Sequence, residues 1–195
     1  FKSNIPWSFH TRKFKIKNHV VGYVGNARKA RGFHLLPQII KFLDKKTKSL
    51  KYLIQFSKAS SELISIKNEL VNLAKKNNKI KIIEKYCDYK EFRSVLKKID
   101  IMPIIHEAKE INTITSGTMY SSLSHEIPVV IPKGTKFMKN ILKYKSFENA
   151  KNLDQYANKI LKISKNYKYY LNNVKLNSNL LKKILKNDPL RKNIY

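Results

Sequence analysis

Glycine is scarce in this chain, with five in 195 residues, so each one marks a place where the backbone has a reason to turn or to come close to something. A single cysteine, Cys87, excludes an internal disulfide and makes a reducing compartment the default. It has no cysteine or histidine at metal-ligand spacing, so a zinc site is not expected. No apolar run approaches the roughly 20 residues that span a bilayer. The chain begins at Phe1 without a signal-peptide pattern, and a piece of a longer protein is expected. Gly-Lys-Ser/Thr is absent, which argues against a P-loop ATPase. GxGxxG is absent, which argues against a standard dinucleotide enzyme. Acids are few: 13 Asp and Glu stand against 41 Lys and Arg, a formal net charge of +28.

Such a charge suits a polyanionic partner, nucleic acid or anionic lipid. The competing reading is a lysine-rich composition spread over solvated helix faces. The lysines run through every segment without concentrating, and no arginine cluster appears, which favours the second reading.

The apolar pattern alternates between short runs and helical spacing. His19 to Gly25 is a run suited to a strand buried on both faces. Phe33, Leu35, Leu36, Ile39, Ile40 and Leu43 follow at helical spacing, with Pro37 in the first turns. Tyr52 to Phe56 predicts a second strand, and Leu63, Ile66, Leu70 and Leu73 a second helix. Ile80 to Ile83 predicts a third strand. Asp88 with Glu91 forms a capping box for a helix through Phe92, Val95 and Leu96. Ile101 to Ile105 predicts a fourth strand, Ser116 to His125 a helix and Pro128 to Ile131 a fifth strand. From Leu153 the pattern is helical to Pro189, with no further strand expected. Alternation at this spacing predicts an α/β domain with a doubly wound, mostly parallel, Rossmann-like sheet and C-terminal helices. The expected organisation is a connector over 1–18, the Rossmann-like domain over 19–150 and a C-terminal helical extension over 151–195.

Ligands of doubly wound sheets bind at the carboxyl ends of the strands. Gly25, Gly32, Gly117 and Gly134 are all expected near that edge. Thr115-Ser116-Gly117-Thr118 precedes a helix, where free N–H groups and the positive end of the dipole can hold phosphate. A plain Ser/Thr N-cap accounts for the same residues. Gly25 to Gly32 is a basic loop in which Arg28, Lys29 and Arg31 can reach a diphosphate, because guanidinium groups fork around phosphate oxygens. His106 and Glu107 follow the fourth strand on the same edge and are candidates for a catalytic or sugar-binding role, or else plain loop residues. Tyr167, Tyr169 and Tyr170 can stack on bases or, more commonly, pack in a helix.

Val21 to Arg28 and Arg31-Gly32-Phe33-His34-Leu35-Leu36 resemble the opening of the C-terminal domain of GT-B glycosyltransferases of the family 4, or group 1, type. Arg31-Gly32 stands where that family has a Lys-Gly pair. Ile99 to Pro103 resembles its alanine-aspartate-x-x-x-proline strand. Thr115 to Thr118 and Ser124 to Val130 resemble its donor-phosphate helix and the strand after it. The resemblance spans roughly residues 19–165.

It implies a nucleotide-sugar site in an interdomain cleft, with the acceptor domain of the same chain missing. Gly25, Arg28, Arg31, Thr115, Ser116, Gly117 and Thr118 would bind the donor diphosphate. Glu84, Lys85 and Tyr86, with His106 and Glu107, would lie near base or sugar. No metal or other cofactor is implied beyond a UDP- or GDP-sugar substrate, because a helix dipole and basic side chains stabilise the leaving diphosphate. The family's glutamate pair would fall near Thr113 and Ser121, neither of them acidic, and its glycine before Ile-Pro-Val-Val is Glu126 here. The implied function is sugar transfer, of hexosyltransferase type, to a glycan or lipid-linked acceptor in polysaccharide biosynthesis, with this part inactive alone. Location is expected in the cytoplasm, peripheral at the inner face of an anionic membrane. Two alternatives remain open: a basic nucleic-acid-binding α/β module, and a sugar-nucleotide epimerase of the same fold. No specific nucleic acid is expected under the leading reading.

Overall fold

The computed structural model describes residues 8–106, 116–135 and 141–187. β1 (Val20–Ala27), β2 (Lys51–Ala59) and β3 (Ile80–Glu84) pair in parallel in the order β1-β2-β3. β4 (Met102–Pro103), β5 (Val129–Pro132) and β6 (Phe147–Ala150) pair in parallel in the order β4-β5-β6. A parallel bridge from Val21 to Ile101 joins the two halves, with the Gly22 N–H donating to the Ile101 carbonyl at 2.9 Å. The strands therefore run β3-β2-β1-β4-β5-β6, a doubly wound order whose direction reverses between β1 and β4.

The helices are α1 (Leu36–Lys46), α2 (Ile64–Lys76), α3 (Tyr89–Lys98), α4 (Gly117–Ser124), α5 (Leu153–Lys165) and α6 (Tyr167–Lys186). α1 packs against α2 and α5, while α4 packs against α6. Right-handed crossovers place these two groups on opposite faces of the sheet. Central strands buried on both faces carry near-continuous apolar runs, and β1 has one over Val20–Val24 and β2 one over Tyr52–Phe56, broken by the buried Gln55. The capping box forms as the sequence predicts: Asp88 accepts from the Glu91 N–H at 2.8 Å, and Glu91 accepts from the Asp88 N–H at 3.2 Å.

Three expectations need correction. β6 lies where no strand was expected. Its Phe-Glu-Asn-Ala sequence lacks an apolar run, and it is held as a strand by β5. The fourth strand is shorter than its apolar run, ladder pairing being confined to Met102 and Pro103. The first helix opens as a 3₁₀ turn over Phe33–Leu35, and α1 begins at Leu36 with Pro37 in its first turn. Pro189, Thr115 and Glu107 lie outside the described residues.

The amino ends of the strands hold a buried polar cluster. Asp100 is fully buried and accepts from Arg12 Nη1 at 3.0 Å, from Lys15 Nζ at 3.0 Å and from the Val20 N–H at 2.9 Å. The Arg12 side chain also donates to the Leu96 and Lys97 carbonyls at the end of α3. Arg12 thereby closes orphan carbonyls at a helix terminus. The Arg12 N–H donates to Glu126 Oε2 at 2.8 Å. Glu126 has φ of 54°, the left-handed region that favours glycine. That conformation accounts for glycine in the resembling family, and here the carboxylate gains a main-chain donor in exchange for the strain.

Candidate functional site

The crevice sits at the carboxyl ends of β1 and β4, where the strand order reverses. Gly25, expected beyond the strand, lies within β1 at φ 117°, where the register with β2 shifts before Ala27 pairs with Ala59, and the basic loop follows. Lys29–Arg31 forms a 3₁₀ turn that Gly32 terminates at φ 70°, in the left-handed region. Gly32 also sits so close to the segment after β4 that an added Cβ would lie 2.3 Å from the Ile105 carbonyl oxygen. Glycine is thus required there twice over, by conformation and by contact. Phe33, next along, is fully buried between the rings of Tyr23 and Phe56, with centroids 5.6 and 5.0 Å away. These contacts fix where Arg31 points. Its Nη1 lies 3.0 Å from the Cβ position of Gly25, so the guanidinium lies against the glycine turn.

Arg31, His106 and Thr118 meet around one small cavity of about 10 Å³, walled by Tyr23, Ile104 and Ile105. Burial first, then the Arg31 charge, lowers the His106 pKa to about 4, so the ring is neutral at pH 7. A neutral imidazole beside a guanidinium leaves the positive charge of the crevice on Arg31. Thr118 lies in the first turn of α4. Ser116 caps that helix, its Oγ accepting from the Met119 N–H at 3.4 Å. Helical geometry leaves the N–H groups of Gly117 and Thr118 without an acceptor inside α4. Among the described residues, an added Cβ at Gly117 would meet nothing within 4 Å, so none of them closes the main chain to close approach. Ser116 therefore acts as the N-cap, and Gly117 and Thr118 supply the free donors.

Arg28 lies at the mouth of the same loop, exposed. A larger cavity of about 330 Å³ adjoins the crevice, lined by Lys29, His34, His106, Lys133, Asn152 and Tyr156 among others. Glu84, Lys85 and Tyr86 end β3, two strands from β1. They do not join the Arg31 group. Glu84 pairs with Lys67 at 2.5 Å, Lys85 pairs with Glu91, and Tyr86 is exposed. That pairing raises the Lys85 pKa.

Gln55, which sequence reasoning missed, links the two groups. It is buried on β2, accepts from the Gly25 N–H at 3.2 Å and donates to the Lys85 carbonyl at 2.9 Å. One amide thus ties the Gly25 turn to the loop after β3. Its signal was legible: a glutamine inside Tyr52-Leu53-Ile54-Gln55-Phe56 must find partners when buried. Asn26 was also missed. It accepts from Ser57 Oγ at 3.0 Å, and its carbonyl accepts from Tyr23 Oη at 2.9 Å.

Comparison with solved structures settles the architecture. The C-terminal domain of a glycosyl transferase group 1 family protein (LpcC) from Francisella tularensis superposes with a TM-score of 0.71 at 17% identity, covering 89% of each chain. This chain has the GT-B C-terminal-domain fold. Sucrose-phosphate synthase from Thermosynechococcus elongatus shares it at a TM-score of 0.65 and 11% identity, over 87% of this chain and 42% of that one. A UDP-forming trehalose-phosphate synthase from Burkholderia xenovorans does so at 0.59 and 8%, over 88% and 45%. The chain thus spans less than half the length of these synthases. No protein-family model and no curated protein matches the sequence. In the GT-B C-terminal-domain fold the Arg31, Thr118 and α4 group occupies the switch point, where doubly wound sheets hold ligands.

Proposed function

We propose that this chain is the donor half of a glycosyltransferase. It binds a nucleoside-diphosphate sugar at the carboxyl edge of the sheet, and a second domain brings a glycan or lipid-linked acceptor. The convergence of Arg31, Thr118 and the α4 N-terminus on one crevice carries the proposal. A guanidinium, a hydroxyl and two free main-chain donors match the oxygens of a diphosphate. As the sugar–phosphate bond breaks, negative charge grows on the leaving diphosphate, and groups already in place stabilise it without reorganising. Arg28, exposed at the loop mouth, adds a second charge once a ligand is present. The loop around Lys85 and Tyr86, tied to Gly25 through Gln55, would meet the base. Serine at 121, where the family carries an acid, argues for sugar contacts unlike the family's. The protein acts on the cytoplasmic side, where nucleotide sugars are made.

The test is calorimetric titration of UDP, GDP and their hexose conjugates at near-physiological salt, beside an Arg31→Glu, Ser116→Asp double variant. Aspartate caps helices as well as serine, so the fold survives while charge of the wrong sign enters the crevice. Saturable binding to one base, weakened at least about tenfold in the variant, is the expected result. Equal binding in both proteins, or tight RNA binding without nucleotide binding, would overturn the reading.

A further inference from the structure

The lysines are not evenly placed once the chain is folded. Helices in parallel α/β units run antiparallel to the strands, so their C-termini gather at the amino ends of the strands. The last turns of α1, α2, α3 and α5 each carry two lysines, eight in all, and every one is exposed. His19 Nδ1 meets Ser164 Oγ at 2.9 Å, which sets the end of α5 beside the start of β1. Lys13, Lys15 and Lys17 run along the same edge, Lys15 tied there by Asp100. Acids beside it are already engaged: Asp44 with Tyr52 and Asn77, Asp100 with Arg12 and Lys15.

Complementing the helix dipole explains lysines in last turns. It does not explain the apolar side chains among them. Ile16 is 77% exposed, Tyr169 55% and Phe14 48%. These three line one open groove of about 500 Å³ together with Lys15, Lys165 and Lys168. Phe14 is seated by stacking on the buried Tyr167 ring, centroids 6.4 Å apart. The groove is therefore a built feature with aliphatic and aromatic tips surrounded by ammonium groups.

We propose that this edge is a docking surface for an anionic bilayer. Phe14, Ile16 and Tyr169 enter the headgroup boundary, and the surrounding lysines meet lipid phosphates. The chemistry favours a bilayer over nucleic acid. The groove has no arginine to fork onto phosphate or bases. Its most exposed apolar member is an aliphatic isoleucine, which gains from an acyl boundary and cannot stack on a base. Lysine stems lie along apolar surface while their heads stay wet. The surface lies opposite the donor crevice, so it rests on no part of the donor reading.

Co-sedimentation of the full chain with vesicles tests it, using phosphatidylcholine alone and phosphatidylcholine with phosphatidylglycerol at near-physiological salt. Binding is expected only with the anionic lipid and should fall as salt rises. The Phe14→Ser, Ile16→Ser variant alters exposed positions and should bind at least about fivefold more weakly. Lys165→Glu, Lys168→Glu should weaken binding as strongly. The same reversal at the opposite edge, Lys58→Glu, Lys90→Glu, should weaken it far less. Equal losses from the two reversals would show diffuse charge and overturn the surface, as would an unchanged Phe14/Ile16 variant. Single-stranded RNA displacing the protein from vesicles through the same lysines would assign the edge to nucleic acid instead. UDP titration of the amino-edge variants keeps the two proposals separate, since none of their substitutions lies at the carboxyl edge.

Discussion

The two edges of the sheet solve opposite problems. At the amino edge, charges are buried and saturated with partners: Asp100 accepts three donors, and Arg12 reaches two helix-end carbonyls. At the carboxyl edge, Arg28 is exposed, Glu84 and Lys85 are paired at the surface, and the half-buried Arg31 meets the neutral His106 and Thr118. A buried ionic cluster holds one conformation, because a lost partner leaves charge in a low dielectric. An edge that must admit a ligand keeps its donors free. The stabilising chemistry and the proposed binding chemistry of this domain are separated by the length of a strand.

The comparison breaks first at Asp100. Asp100→Ala would leave Arg12 buried and unpaired and should cost about 3–5 kcal/mol, read as a fall in the urea midpoint. Glu84→Ala removes an ion pair at the carboxyl edge, open to water, and should cost less than about 1 kcal/mol. Similar losses at both positions would erase the distinction between the edges.

The glycines sharpen it. Gly32→Ala places a methyl group on the Ile105 carbonyl at a backbone conformation that disfavours side chains, and should cost about 2–3 kcal/mol. Gly117→Ala meets open space, so its stability should change by no more than about 1 kcal/mol. If Gly117 lies against diphosphate, its variant loses nucleotide affinity with its thermal midpoint intact. Thermal melts beside titrations separate the two outcomes.

The alternation of apolar runs and helical faces made the fold legible, because each βα unit carries its own period. β6 escaped because pairing with β5, a tertiary effect, makes it a strand. The positions of Arg31, Gly32 and Ser116 were legible from the fold's ligand edge. The contact of Arg31 with Gly25, and the bridge through Gln55, depend on rotamers that no spacing encodes. The amino-edge cluster was hidden for another reason. Arg12 lies in a stretch with no clean period, and its partners are 84 to 114 positions away. The basic edge followed the same logic: lysines that look uniform along the chain are gathered by helix direction.

A pH effect smaller than the losses at Asp100 and Gly32 reaches both edges. His125, at the amino edge, is buried, and burial first, then the charges of His10, Arg12 and Arg93, lowers its pKa to about 4 against an opposing Ser121 carbonyl. Its Nε2 has no hydrogen-bond partner, so a proton there would find no acceptor. His106 is lowered to about 4 at the carboxyl edge. In both cases the unfolded ring takes up a proton near pH 6.5 and the folded ring only near pH 4. The unfolded state therefore binds more protons between those values, and stability is full above pH 6.5 and declines as pH falls toward 4. For His125 the loss between pH 7 and pH 5 should be roughly 1–2 kcal/mol, and less for the more open His106. Denaturation midpoints across that range, in the parent and in His125→Gln, measure it. A flatter profile in the variant is expected. An unchanged slope would mean that the amino edge takes no part, and that its cluster is as open to water as the crevice opposite.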